Sequence, residues 1–382
     1  MYNLSAFPEH LQKSLELFLK NNLITPKIVC SKNQIRYNID QFISSLELDP
    51  GDLFFPVKVN HDLETLKFIN EQNTGFEIAS SGELELLKKI NAEPAKIIFS
   101  NPVKLASHIQ NAYKYGVRTF AFDSMSELKK IHDFASSSNV YLRIAVSNSG
   151  AAWRLDNKFG AAPEEAIPLM KSAIDYGLKA CGIAFHVGWN NTEKETYSSA
   201  LSTAEKTIKL LLKNNIELSF LNIGGGFPAH CHDQYKWIGK ISEKIKPQLN
   251  QFRDHYNLKI ITEPGSFITA NSAVMVCTVV ETARRGKTNW IFLDSGIFQG
   301  FQWIMAGLKY QVIYPYKNTK KINLIKYTVT GPTCDSHDVF IKEILLPEAI
   351  KSGDKLMIYP AGAYIASAQY YNGFSYPETM IP

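Results

Sequence analysis

The stretch FFPVKVN, residues 54–60, holds one lysine among neighbours that are all apolar except Asn60. Phe54, Phe55, Pro56, Val57 and Val59 read as a buried strand of the kind that fills parallel sheets. Lys58 falls where such a strand ends. A lysine enclosed by apolar groups is costly unless its ammonium is paired or chemically used. Two readings follow: a snorkelling side chain with its head in water, or an amine kept for covalent work as a Schiff base. The stretch alone does not choose between them.

Seven further runs of the same character follow it. They are TGFEIA (74–79), AKIIFS (95–100), VRTFAFD (117–123), VYLRIAV (140–146), CGIAFHVG (181–188), SFLNIGG (219–225) and LKIITE (258–263). Helical patterns separate them, such as DLETLKFINEQ (62–72) and SMSELKKIHDFASS (124–137). The second of these opens on Ser124 with Glu127 three residues on, a capping-box signature. Strands alternating with helices imply a parallel sheet, because each crossover needs a helix. Eight such units predict an α/β chain with a (β/α)8 barrel. Beyond residue 265 the rhythm changes. SAVMVCTVVETAR, TNWIFLDSGI, NLIKYTVTGP and DKLMIYPAGAY are strand-like with no long helix between them, so a second, mainly β domain is expected. The boundaries read as 32–267 for the barrel, with 1–31 and 268–382 forming the β domain.

The bulk numbers exclude several classes. Hydrophobic residues make up 45% of the 382 and charged ones 20%, an ordinary globular balance. A net charge of +5 from scattered residues gives no case for nucleic acid. No run of eighteen apolar residues exists, so no membrane span is expected, and MYNLSAFPEHLQKSLELF does not read as a signal peptide. The cysteines, Cys30, Cys181, Cys231, Cys277 and Cys334, are odd in number and widely spaced. That pattern argues against a disulfide framework or a structural metal site and for the cytoplasm.

A (β/α)8 barrel works at the C-terminal ends of its strands. The polar residues in or at the ends of the runs are Lys58, Glu77, Arg143, His186, the triplet Gly224, Gly225 and Gly226, and Glu263 followed by Pro264, Gly265 and Ser266. Barrels often bind phosphate in the loops after strands seven and eight, where GGG and EPGS lie. Three glycines leave backbone N–H groups open to an anion. A lysine, a phosphate cradle, a carboxylate and a flat histidine together suggest pyridoxal 5'-phosphate (PLP).

The ordered pieces PVKVN (56–60), GFEIASSGELELL (75–87), LRIAV (142–146), FHVG (185–188), NIGGGFP (222–228), EPG (263–265), GPTCDSHD (331–338), AGAY (361–364) and NGF (372–374) cover nearly the whole chain. In that series the sequence resembles the fold-type III PLP decarboxylases, the ornithine and diaminopimelate decarboxylase group. GPTCDS, AGAY and NGF favour the ornithine branch. The resemblance implies decarboxylation of an ornithine- or lysine-like, or modified, diamino acid to an amine and CO2. It implies that Lys58 carries PLP, His186 stacks on it and Glu263 pairs with the pyridine nitrogen, with Glu77 and Arg143 in support. Gly224, Gly225, Gly226, Gly265, Ser266 and Tyr364 would hold the phosphate. Cys334 would protonate the α-carbon, Asp335 would meet the distal amine and Phe374 would line the pocket. It also implies a homodimer with shared sites, Cys334 and Asp335 coming from the partner, and substrate and dimer contacts from the β domain.

Three departures qualify that picture. Ser266 stands where the family's arginine follows EPG, and Trp189 where its serine follows HVG, so Ser266 is expected to limit PLP affinity. Asn190 is a candidate second donor. The segment DSGIFQGFQWIMAGLKYQ (294–311) offers Trp303, Met305 and Gly307 where diamine-forming members carry a carboxylate. Ornithine is therefore expected to be a poor substrate, unless Glu83 or Asp294 reaches the pocket. The alternatives are a racemase of the same fold, or an antizyme-inhibitor-like binding protein.

Overall fold

The computed structural model describes residues 2–21, 23–154, 158–229, 233–316, 323–365 and 378–381. The chain divides into two compact units, Asn38–Ile268, and Met1–Tyr37 with Thr269–Pro382.

The first unit is the predicted barrel. Its strands are β1 (Phe54–Pro56), β2 (Gly75–Ile78), β3 (Ile97–Phe99), β4 (Thr119–Phe122), β5 (Asn139–Arg143), β6 (Lys179–Ala184), β7 (Phe220–Asn222) and β8 (Lys259–Ile261). All pair in parallel in chain order. The ring closes by a bridge between Leu53 and Thr262. There Phe54 N donates to Thr262 O at 2.8 Å and Thr262 N to Asp52 O at 2.9 Å. Closure leaves no sheet edge unpaired. The crossover helices are α1 (Leu63–Asn70), α2 (Ser81–Lys89), α3 (Ala106–Tyr115), α4 (Met125–Phe134), α5 (Ala166–Asp175), α6 (Lys194–Lys213) and α7 (Gln234–Tyr256).

The capping box expected at α4 forms only in part. Ser124 caps Glu127 N, but the Glu127 carboxylate turns away from the cap. It lies buried against Lys104, accepting that residue's backbone N–H at 3.2 Å and pairing with its Nζ at 2.9 Å. Lys104 is itself buried, and a buried ammonium gains more from a carboxylate than a helix end does. Burial, opposed by Glu127, lowers the Lys104 pKa to about 8.

The second unit is mainly β, as the sequence predicts. Its strands are β9 (Ala273–Arg285), β10 (Thr288–Leu293), β11 (Gln311–Ile313), β12 (Leu324–Thr330), β13 (Val339–Pro347), β14 (Lys355–Tyr359) and β15 (Glu378–Met380). The sheet order is β11-β14-β9-β10-β12-β13. The N-terminal strand Lys27–Cys30 pairs antiparallel with β9 and parallel with β15. The helix Glu9–Lys20 repeats apolar residues at one-turn spacing. It buries Leu11, Leu15 and Phe18 against Val29, Val274, Val276 and Met357. No helix among the described residues is long and apolar enough to cross a membrane.

Candidate active site

β1 stops at Pro56, and Lys58 sits in the 3-10 turn Val57–Val59 that follows. Val57 and Val59 are buried, which leaves the lysine side chain between them 45% exposed. Its Nζ donates to Glu77 Oε2 at 2.6 Å. Glu77 lies on β2 and is buried. Burial pushes its carboxyl up to about 7, against the opposing pull of Lys58. Lys58 is thus both half in water and paired with a buried carboxylate, which fixes its amine just past the end of β1 while leaving it open to solvent. A Cβ on Gly265 would lie 2.4 Å from Val59 Cγ2, so only glycine lets the loop after β8 seat against this turn.

Glu263 follows β8. Its Oε1 accepts from Asn222 Nδ2 at 2.7 Å and from Ser100 Oγ at 2.5 Å. Ser100 in turn lies 2.6 Å from the Tyr141 hydroxyl. Because Ser100 gives its proton to Glu263, Tyr141 donates to Ser100. Ser100 follows β3, and β1 and β2 separate that strand from β8, so this chain of bonds crosses the barrel mouth. Burial, then the Glu263 charge, raises the Tyr141 pKa well above its ordinary value and keeps it a donor. Arg143 ends β5 with its guanidinium 5.2 Å over the Phe159 ring. Burial lowers its pKa, while Glu263 and Asp123 oppose that shift.

His186 follows β6 and accepts Gly188 N–H on Nδ1 at 3.0 Å, which leaves the proton on Nε2. Burial first, then Arg143 and Lys58, lowers its pKa to about 3, so the ring is a neutral flat surface. Asn148, buried in the neighbouring loop, donates to His186 O at 3.0 Å and holds the turn.

The glycine triplet has a different reason from the one its sequence suggests. A Cβ on Gly224 would lie 2.2 Å from Phe185 O, one on Gly225 2.4 Å from Glu263 O, and one on Gly226 2.0 Å from Gly188 O. Backbone packing alone therefore demands all three. The Gly224 N–H is spent on Asn222 Oδ1 at 2.9 Å. The N–H groups of Gly225 and Gly226 have no partner among the described residues and remain for an anion. Asn190 uses Oδ1 to accept Ala229 N–H at 2.9 Å.

Cys334, Asp335 and Tyr364 belong to the β unit, and Phe374 lies outside the described residues. Cys334 is exposed. Asp335 Oδ1 accepts His337 N–H at 2.8 Å and lies 2.9 Å from His337 Nδ1. The Tyr364 ring packs edge-on against Trp303, centroids 6.2 Å apart. The loop owes its shape to Asp338, the last residue of GPTCDSHD. Fully buried, Asp338 accepts from Ile297 N at 2.8 Å, Thr333 N at 3.1 Å and Thr333 Oγ1 at 2.7 Å. Any side chain at Gly296 or Gly331 would strike its carboxylate. Asp338→Ala strands buried donors and is expected to lower unfolding stability by about 3 kcal/mol. A denaturation midpoint within about 0.5 kcal/mol of the parent protein would refute that role.

Ser100, Tyr141 and Asn222 complete the site and were not among the sequence candidates. Ser100 closes the run AKIIFS, so the strand-end criterion that selects Lys58 and Glu263 also reaches it. Asn222 closes β7 and meets the same criterion, whereas Tyr141 lies within an apolar run and carries no such signal. An amine beside a buried carboxylate, an anchored carboxylate, a neutral flat ring and open N–H groups form the donor set that a phosphorylated pyridine aldehyde requires.

Residues 32–270 match the family described as pyridoxal-dependent decarboxylase, pyridoxal binding domain. The lysine/ornithine decarboxylase of Selenomonas ruminantium is 34% identical over 366 residues, covering 95% of this chain and 91% of that protein. The crystal structure of SrLDC in complex with PLP and cadaverine superposes with a TM-score of 0.86 at 31% identity, over 98% of this chain and 94% of that one. The arginine decarboxylase of Paramecium bursaria Chlorella virus bound to agmatine gives a TM-score of 0.89 at 25% identity, over 97% and 100%.

Proposed function

The chain belongs to the pyridoxal-dependent decarboxylases, in the ornithine/lysine group of fold type III, and from that premise we propose that it decarboxylates a cationic amino acid longer than ornithine in sites shared by two copies. It is a PLP-dependent amino-acid carboxy-lyase. Neither a racemase nor an antizyme-inhibitor-like role is favoured.

PLP, when bound, supplies the electron-withdrawing ring that lets the α-carboxylate depart as CO2. The remaining work falls to the chain. Lys58 holds the cofactor through its amine, and Glu77 orients that amine. Glu263, fixed by Asn222 and by Ser100 with Tyr141, keeps a proton on the ring nitrogen, with Arg143 in support. His186 covers one ring face and adds no charge. Gly225, Gly226 and Ser266 offer donors to the phosphate, Gly224 and Gly265 shape the loops that carry them, and the family pattern adds Tyr364. The partner subunit's Cys334 places a proton on the α-carbon where the carboxylate was, and the partner subunit's Asp335 receives the distal cation. The observation that carries this reading is the Lys58–Glu77 pair, 2.6 Å apart in the turn after β1.

Substrate length follows from acceptors. Asp294 takes the Thr25 hydroxyl at 2.5 Å and Thr278 N–H at 2.9 Å, and Glu83 takes Ala79 N–H at 2.7 Å. Asp294 thus has both oxygens taken and Glu83 one; Asp335, which itself accepts from His337, is the acidic residue that the family pattern places at the distal cation. A short ammonium brought out of water needs several acceptors. A longer or guanidino side chain reaches solvent or a second acceptor more easily. Cadaverine and agmatine on two similar structures fit such lengths, while putrescine on a third, a lysine/ornithine decarboxylase of Vibrio vulnificus, makes ornithine the comparison that decides. The product class belongs to polyamine biosynthesis, and the scattered cysteines fit a cytoplasmic enzyme.

CO2 release from a panel of lysine, arginine, ornithine, diaminopimelate, aromatic and conjugated diamino acids tests this. A longer cationic substrate is expected to exceed ornithine in kcat/KM by about tenfold. Ornithine at the top of the panel would overturn it. Shared sites predict complementation. Mixing Lys58→Ala with Cys334→Ala protein should restore about a quarter of parental activity, since half the random dimers are hybrids with one intact site. No recovery despite demonstrated subunit exchange would contradict it.

A further inference from the structure

The loops after β6, β7 and β8 are locked together. Asn191 N donates to Gly226 O at 2.8 Å and Glu263 N to Gly224 O at 2.8 Å. Gly226 packs on Gly188 O and Gly225 on Glu263 O more closely than any side chain would permit. A side-chain bond joins the first loop to the third: Trp189 Nε1 donates to Ser266 Oγ at 3.1 Å. Ser266 is only 7% exposed. Its oxygen takes the indole hydrogen, and its own hydrogen has no acceptor among the described residues. The segments 186–191, 222–229 and 263–268 contain no lysine or arginine, and His186 is neutral. An anion here is met by neutral donors.

We infer that Trp189 and Ser266 act as one unit in recognising the cofactor phosphate: the indole N–H fixes the serine oxygen, which turns its hydroxyl proton onto a phosphate oxygen beside the Gly225 and Gly226 N–H groups. This rests on the PLP reading of the same mouth. The two departures from the family pattern are then a single change, because the indole stands where Ser266 faces. An arginine introduced at 266 alone would lose the indole's acceptor and meet its ring. Ser266→Arg is therefore expected to tighten PLP only when Trp189 is also made small, as in W189S/S266R.

The test measures PLP and pyridoxal dissociation constants on apoprotein, by absorbance of the bound cofactor and by fluorescence. Trp189→Phe removes the indole N–H together with part of the ring's bulk, and Ser266→Ala removes only the hydroxyl; pyridoxal binding reports any loss from the bulk alone. Each is expected to weaken PLP about tenfold, one neutral hydrogen bond, and to leave pyridoxal unchanged. W189F/S266A should be no weaker than S266A, since the first donor acts through the second. Additive losses, equal losses for pyridoxal, or unchanged PLP affinity with native circular dichroism would each overturn the inference. Failure of the PLP reading would appear separately, as parent protein that binds neither compound through Lys58.

Discussion

Lys58→Ala is expected to lower kcat at least about a thousandfold, the scale of losing a covalent catalytic group. It should also abolish the visible absorbance of lysine-bound cofactor. The amine sits in a turn fixed by two buried valines, and its partner Glu77 makes no other side-chain hydrogen bond among the described residues. Borohydride reduction of the parent protein followed by peptide mapping should find the pyridoxyl group on Lys58. A label on another lysine, or residual kcat within about tenfold of the parent, would remove Lys58 from the site. Lys58→Arg separates charge from chemistry: it preserves a cation for Glu77 while offering no usable amine, and should be equally inactive.

Glu263→Gln is expected to reduce kcat by about a hundredfold to ten-thousandfold, the range of losing a positioned proton-holding group. The amide oxygen can still accept from Asn222 and Ser100, so the loop keeps its shape and the loss reports charge. The bound-cofactor spectrum should shift with the activity, and denaturation midpoints should stay near the parent value. Ser100→Ala, which removes one donor to Glu263, should cost less, about tenfold. A Glu263→Gln enzyme within about tenfold of the parent would mean that the carboxylate serves the Ser100–Tyr141 chain and not the ring nitrogen.

The eight apolar runs determined the barrel, because strand–helix alternation is local and each crossover can close only one way. They also determined that Lys58, His186 and Glu263 share a rim, since strand ends of a closed barrel meet there. Family membership was legible in the same residues. Other features came from the tertiary structure. Periodicity says nothing about which carboxylate meets which donor. Glu127 looked like half of a capping box until burial of Lys104 claimed it. Asp294 could have been a pocket acid until Thr25 and Thr278 were seen to take both its oxygens. Tyr141 reads as one more apolar strand residue, and only the curvature of the barrel brings Ser100, Tyr141 and Glu263 into line. Trp189 and Ser266 lie 77 positions apart, and their hydrogen bond exists because the loops after β6 and β8 pack on the same glycines. Sequence pattern records what each segment buries; partners distant along the chain are chosen by closure and packing.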